Sequence, residues 1–154
     1  MEASSSVCKE ISEVSSGFTK QISDASSGNQ TAMHHLFKTN DRIFMSLAKL
    51  DHVAWKVNTY LSVLQEKPSF TYVDHHDCRL GKWYYEGDGQ SFSHSLAFKA
   101  LEGPHSRVHE GTKAVFGVLT SKGSATALSA AIKTMEDGSD GVFQALDRML
   151  EQKR

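Results

Sequence analysis

The chain is poor in the residues that define several large classes of protein. Only two of its 154 residues are cysteines, Cys8 near the start and Cys78 in the interior. That is too few for a disulfide scaffold and fits a reducing compartment. No apolar run approaches the roughly 20 residues that a membrane-spanning helix needs, and the polar opening MEASSSVCKEIS contains no apolar signal segment. A cytoplasmic protein without membrane contact is expected. Neither sign of charge is in excess, with 17 Lys and Arg against 18 Asp and Glu and a net charge of -1. A nucleic-acid binder ordinarily carries a basic excess or stripe, so that class is set aside. No stretch alternates apolar and polar residues as a half-buried strand would, and no internal repeat is visible.

What the chain has instead is histidine, eight in all, six of them paired as His34-His35, His75-His76 and His105/His109. The last pair, in PHSRVH, is spaced by four, so on a helix both imidazoles point the same way and can close on one ion. A thiolate from Cys78 would make three quarters of a tetrahedral zinc site. The best fourth donor is His52 in LDHVAWK, because an imidazole buried in an apolar helical segment is costly without a partner.

Residues 5 to 37 are rich in Ser, with Val7, Ile11, Val14, Phe18, Ile22 and Ala25 at gaps of four, three, four, four and three. That near-heptad stripe predicts a helix packed along a narrow seam, and so a two-helix or dimeric coiled segment. A second helix is expected from Asp41, a plausible N-cap, to Gln65, with Pro68 beyond its end. At 100° per residue, Ile43, Leu47, Leu50, Ala54, Val57, Leu61 and Leu64 fall on one side, and Met45, Ala48, His52 and Trp55 on the other. Further helices are predicted over 75–85, with Gly81 admitting another backbone, over 91–101 and over 104–119, where Pro104 occupies the first turn. An Ala-rich segment 125–135 is expected to break at Asp137 to Asp140 before a last helix over 141–152. The expected fold is all-α: a small four- to five-helix bundle (38–154) behind an extended N-terminal helix (1–37).

Each candidate ligand also has a plainer use. Lone cysteines fill cores, and lone core histidines are usually satisfied by hydrogen bonds. The weight lies in their joint occurrence on separate helices of one bundle. Three nitrogens and one sulfur select Zn²⁺, whereas calcium or magnesium would need oxygen and a di-iron bundle several inward glutamates. His75 and His76 compete with Cys78 on chemistry alone. His34 and His35 read as solvated, and Cys8 as an exposed thiol in a Ser-rich setting, able to form an intersubunit disulfide only incidentally. Asp51 and Asp77 are candidates to accept the free ring N–H of a ligating histidine. Trp55 and Trp83 are expected to pack around the ligands.

HVAWK (52 to 56), CRLGKWYYEGDG (78 to 89) and PHSRVH (104 to 109), in that order, resemble the chemoreceptor zinc-binding domain family. The resemblance implies a dimeric helical bundle with one zinc held by His52, Cys78, His105 and His109. It also implies a regulatory role in chemotaxis signal transduction, with the N-terminal Ser-rich helix similar to the last stretch of a chemoreceptor signalling hairpin. No hairpin tip is present, so the chain is expected to be a stand-alone domain or a stretch of a longer receptor. The redox-sensitive residue is Cys78, since a zinc-bound thiolate stays oxidisable, and either zinc occupancy or oxidation of Cys78 is expected to alter how the helix of His52 packs against that of His105 and His109, and so signalling. The alternatives are a zinc enzyme, hydrolase or thiol transferase, and a purely structural zinc. Four protein ligands and the lack of a well-placed Glu speak against catalysis. From Gly123 onward no motif is matched.

Overall fold

The computed structural model describes the backbone of residues 2–152 and side chains from residue 9 to 152. The side chains of Val7 and Cys8 lie outside the described residues. So do the first position of the N-terminal stripe and the Cys8 disulfide. The described residues are all-α, without a strand: α1 (Glu2–Leu64), α2 (Arg79–Tyr85), a 3₁₀ turn (Asp88–Phe92), α3 (Leu96–Lys99), α4 (Glu102–Ser121) and α5 (Ala125–Gln152). The chain divides into two compact units, residues 1–41 and 42–154.

Two expected helix boundaries do not exist. Asp41 is not an N-cap; it lies inside α1 as a buried side chain. A capping residue starts a helix only where the preceding backbone leaves the helical region. Between Gly28 and Pro68 neither glycine nor proline occurs to make it do so. Likewise the Asp137 to Asp140 interruption is absent, and α5 is one helix. Its glycines serve packing. A Cβ on Gly138 would lie 2.7 Å from the Val108 nitrogen, and one on Gly141 2.7 Å from Pro104 Cβ. On the facing helix, a Cβ on Gly111 would lie 2.4 Å from the Met135 nitrogen. Glycine on both sides lets α4 and α5 run in close backbone contact. The single helix expected over 91–101 is instead the 3₁₀ turn followed by the short α3, which Ser95 caps by accepting from the Phe98 N–H at 3.0 Å.

In unit 1 the N-terminal stripe of Ile11, Val14, Phe18 and Ile22 is exposed, as are His34 and His35. In unit 2 the two faces read from α1 separate cleanly. Met45, Ala48 and His52 are buried, whereas Ile43, Leu47, Leu50, Val57, Leu61 and Leu64 are exposed. The core gathers Met45, Leu80, Trp83, Phe92, Phe98, Leu101, Val108, Met135, Val142, Leu146 and Met149. The segment without a recognisable motif, α5, therefore supplies much of the interior. Polar ties join it to α1: Lys56 reaches Glu136 at 2.7 Å, Tyr60 donates to the same carboxylate, and Lys49 pairs with Asp147.

Candidate metal centre

Each candidate donor is delivered by a different local device. His52 projects from the buried face of α1, where its Nδ1–H donates to the Ala48 carbonyl one turn back at 2.7 Å. That bond fixes the tautomer and leaves Nε2 as a bare lone pair. His105 and His109 stand one turn apart on α4, and both are buried. His109 donates Nδ1–H to the Val73 carbonyl at 2.8 Å, which again turns Nε2 inward. Cys78 caps the N-terminus of α2, its Sγ accepting from the Gly81 N–H at 3.4 Å. Gly81 is required there, because a Cβ would sit 1.9 Å from the His75 carbonyl oxygen. The strap 73–78 crosses α2 over this glycine.

The three imidazoles converge. One ring nitrogen from each of His52, His105 and His109 lies within 4.8 Å of the others. Cys78 lies outside this mutually close set and joins it through His105, with Sγ 3.2 Å from Nε2. Nitrogen and sulfur donors sharing a tetrahedral zinc stand about 3.5 Å apart, given bond lengths of about 2.0 and 2.3 Å. A cavity of about 50 Å³ is lined by Asp51, His52, Trp55, Cys78, Arg79, Leu80 and His109.

The electrostatics suit a cation. Burial, with repulsion from neighbouring imidazoles, lowers His105 to about 2. Burial lowers His109 to about 4, and lowers His52 as well. All three are therefore neutral at pH 7, as ligands must be. Burial pushes the Cys78 thiol up, outweighing the backbone N–H groups of Gly81 and Leu80 that favour its thiolate. The decisive observation is His52 Nε2, buried without a hydrogen-bond partner. A buried nitrogen lone pair left open costs free energy unless something fills it. This donor set, three inward imidazoles and a thiol, fits Zn²⁺.

Around the donors the expectations are partly redrawn. The ring N–H groups of His52 and His109 go to the carbonyls of Ala48 and Val73, not to Asp51 or Asp77. Asp51 pairs with Arg79 at 3.2 Å, and Asp77 is exposed. Trp55 does pack on a donor, its ring 4.7 Å from that of His109, and its Nε1–H donates to Thr112 Oγ1 at 2.8 Å. Trp83 instead stacks on Phe44 at 4.7 Å within the core. No sequence signal marked Val73 or Thr112. The Ala48 carbonyl was legible in principle, being four residues before His52 on one helix. His75 and His76 form a separate cluster with Asp74.

The family model of the chemoreceptor zinc-binding domain matches residues 52–116. This segment is a member of that family. The match opens on His52 and takes in Cys78, His105 and His109, so all four candidate donors of the zinc-binding domain lie within it. The chain finds no match among curated proteins or solved structures. Helix α5 lies beyond the matched segment, although the zinc-binding domain's core depends on it.

Proposed function

We propose that this is a regulatory zinc sensor of bacterial chemoreceptor type, cytoplasmic and non-enzymatic, in which His52, Cys78, His105 and His109 hold one Zn²⁺. The observation that carries this reading is the unpaired His52 Nε2 at the point where His105 and His109 converge. Bound zinc supplies the positive charge that keeps Cys78 deprotonated despite its burial. Three neutral imidazoles and one thiolate would fill the four positions of such an ion and would leave none for an activated water, which is the pattern of a structural or regulatory site.

Cys78 is the sensitive member. Its thiolate attacks the distal oxygen of a hydroperoxide, an S–O bond forms, the O–O bond breaks, and the alkoxide leaves with a proton from water. Sulfur is oxidised by two electrons to the sulfenic acid, and the peroxide is reduced to an alcohol, or to water where the oxidant is hydrogen peroxide. Cys78 then ceases to be an anionic donor. His52 is released from the α4 histidines, and the packing of α1 against α4 changes.

The exposed apolar face of α1, from Ile43 to Leu64, supports a homodimer in which a second copy covers it. The partners in signalling would be other chemoreceptor segments. In the test, zinc-loaded protein is titrated with hydrogen peroxide beside Cys78→Ser, and released zinc is measured. Release from the parent protein at near-stoichiometric oxidant, with none from the variant, is expected. Equal release from both would remove Cys78 from the mechanism.

A further inference from the structure

We propose that Asp74, His75 and His76 form a second, solvent-accessible site for a divalent transition-metal cation, on the strap that carries Cys78. One ligand atom from each of the three lies within 4.8 Å of the others. Asp74 Oδ1 stands 3.2 Å from His75 Nδ1 and 2.8 Å from His76 Nδ1. Donors held at about 2.1 Å by one cation are about 3.0 to 3.4 Å apart, so these three atoms already approach the edges of a coordination shell. Two imidazoles and one carboxylate suit zinc, nickel or cobalt and not calcium or magnesium, which favour oxygen.

The plainer reading is a turn-capping aspartate, and the cluster does contain one, since Asp74 Oδ1 accepts from the His76 backbone N–H at 3.0 Å. That cap needs neither ring. It leaves unexplained why both imidazoles, 4.0 Å apart, address the same oxygen. It also leaves the buried His75 Nε2 without a hydrogen-bond partner. A cation on His75 Nδ1 places the ring proton on Nε2, which faces Glu102 Oε1 at 3.8 Å. Tyr85 donates to that same carboxylate oxygen at 3.3 Å. A carboxylate behind a ligating imidazole orients the ring and raises its basicity. On its outer side the cluster is open, with the side chains of Asp74 and His76 about half exposed at 48% and 55%. Water completes such a shell and the ion exchanges readily.

The strap couples this cluster to the buried donors. The Val73 carbonyl holds His109, and the Cys78 thiol points at the His75 carbonyl oxygen at 3.5 Å. A cation that stiffens 74–76 therefore braces the backbone presenting Cys78. The cluster's own binding does not depend on zinc being held within.

The full chain is titrated with Zn²⁺ against a mild chelator, and with Co²⁺ by absorption, as the parent, as Asp74→Asn with His76→Phe, and as Cys78→Ser. Asn keeps the turn cap and Phe keeps the stack on Tyr85, so neither change threatens folding. The parent is expected to bind one ion more than the double variant, with the thiolate-to-cobalt absorbance undiminished in that variant. Equal stoichiometry in the two proteins would overturn the second site. If the thiolate absorbance is missing in the parent while the double variant still loses one ion, the buried site fails and the outer one stands.

Discussion

The ring of His52 and the ring of His105, carried on α1 and α4, meet edge to face with centroids 5.1 Å apart. Two neutral imidazoles buried this closely gain little from each other. The Nε2 of His52 is buried beside them without a hydrogen-bond partner. The behaviour of the zinc-free protein follows from that frustration.

Its stability should fall with acid well above the carboxylate range. In the folded state burial holds His109 near 4 and His105 near 2, whereas unfolded histidine titrates near 6.5. As pH drops below about 6.5 the unfolded chain takes up protons that the folded chain refuses, so unfolding becomes easier and stability rises with pH across this window. Urea midpoints of zinc-free protein at pH 7.5 and pH 5 check this, and no difference between them would contradict it.

Zinc binding at neutral pH should release close to one proton, from Cys78. Burial holds that thiol protonated without metal, while the three histidines are already neutral. Calorimetry in buffers of different ionisation enthalpy measures the number. Cys78→Ser should bring it near zero, and release of three or four protons would mean that the histidines start charged.

Metal removal should leave the helices standing. The core of Met45, Leu80, Leu101, Val108, Met135, Leu146 and Met149 is built of apolar side chains that are not metal donors, and burial of that kind is the main driving force of folding. Chelation should lower the melting temperature while far-UV helicity persists. Collapse of the helical signal on chelation would instead assign the ion a purely structural role.

Gly111→Ala should damage the protein without touching a ligand. The new Cβ would lie 2.4 Å from a backbone nitrogen of α5, and forced separation of packed helices costs about 1–3 kcal/mol. Chemical denaturation reads the loss, and an unchanged midpoint would show that α4 and α5 are not in close backbone contact.

Much of the site was readable in the chain because its spacing is chemical. Histidines four apart on α4 converge whatever surrounds them, and Gly81 announced a close backbone approach. Helical periodicity separated the two apolar faces of α1, but it implied a helix buried on both sides, whereas the face from Ile43 to Leu64 is exposed. The helix limits were not legible, because Asp41 looks like a cap but no glycine or proline between Gly28 and Pro68 breaks the backbone, and the apparent break at Asp137 to Asp140 is overridden by close packing of α5 on α4. In α5 Gly138, which suggested a break, is the residue that lets Val108 and the Pro104 carbonyl approach. The partners of the ring N–H groups escaped notice for another reason. Carbonyl oxygens belong to every residue, so nothing in the sequence distinguishes Val73 from its neighbours.

The most direct measurement is zinc-edge X-ray absorption on the zinc-loaded protein, compared with Cys78→Ser. One sulfur at about 2.3 Å and three nitrogens at about 2.0 Å are predicted, with the sulfur shell lost in the variant. A shell of nitrogen and oxygen only in the parent protein, or a sulfur shell that survives the substitution, would contradict coordination by His52, Cys78, His105 and His109.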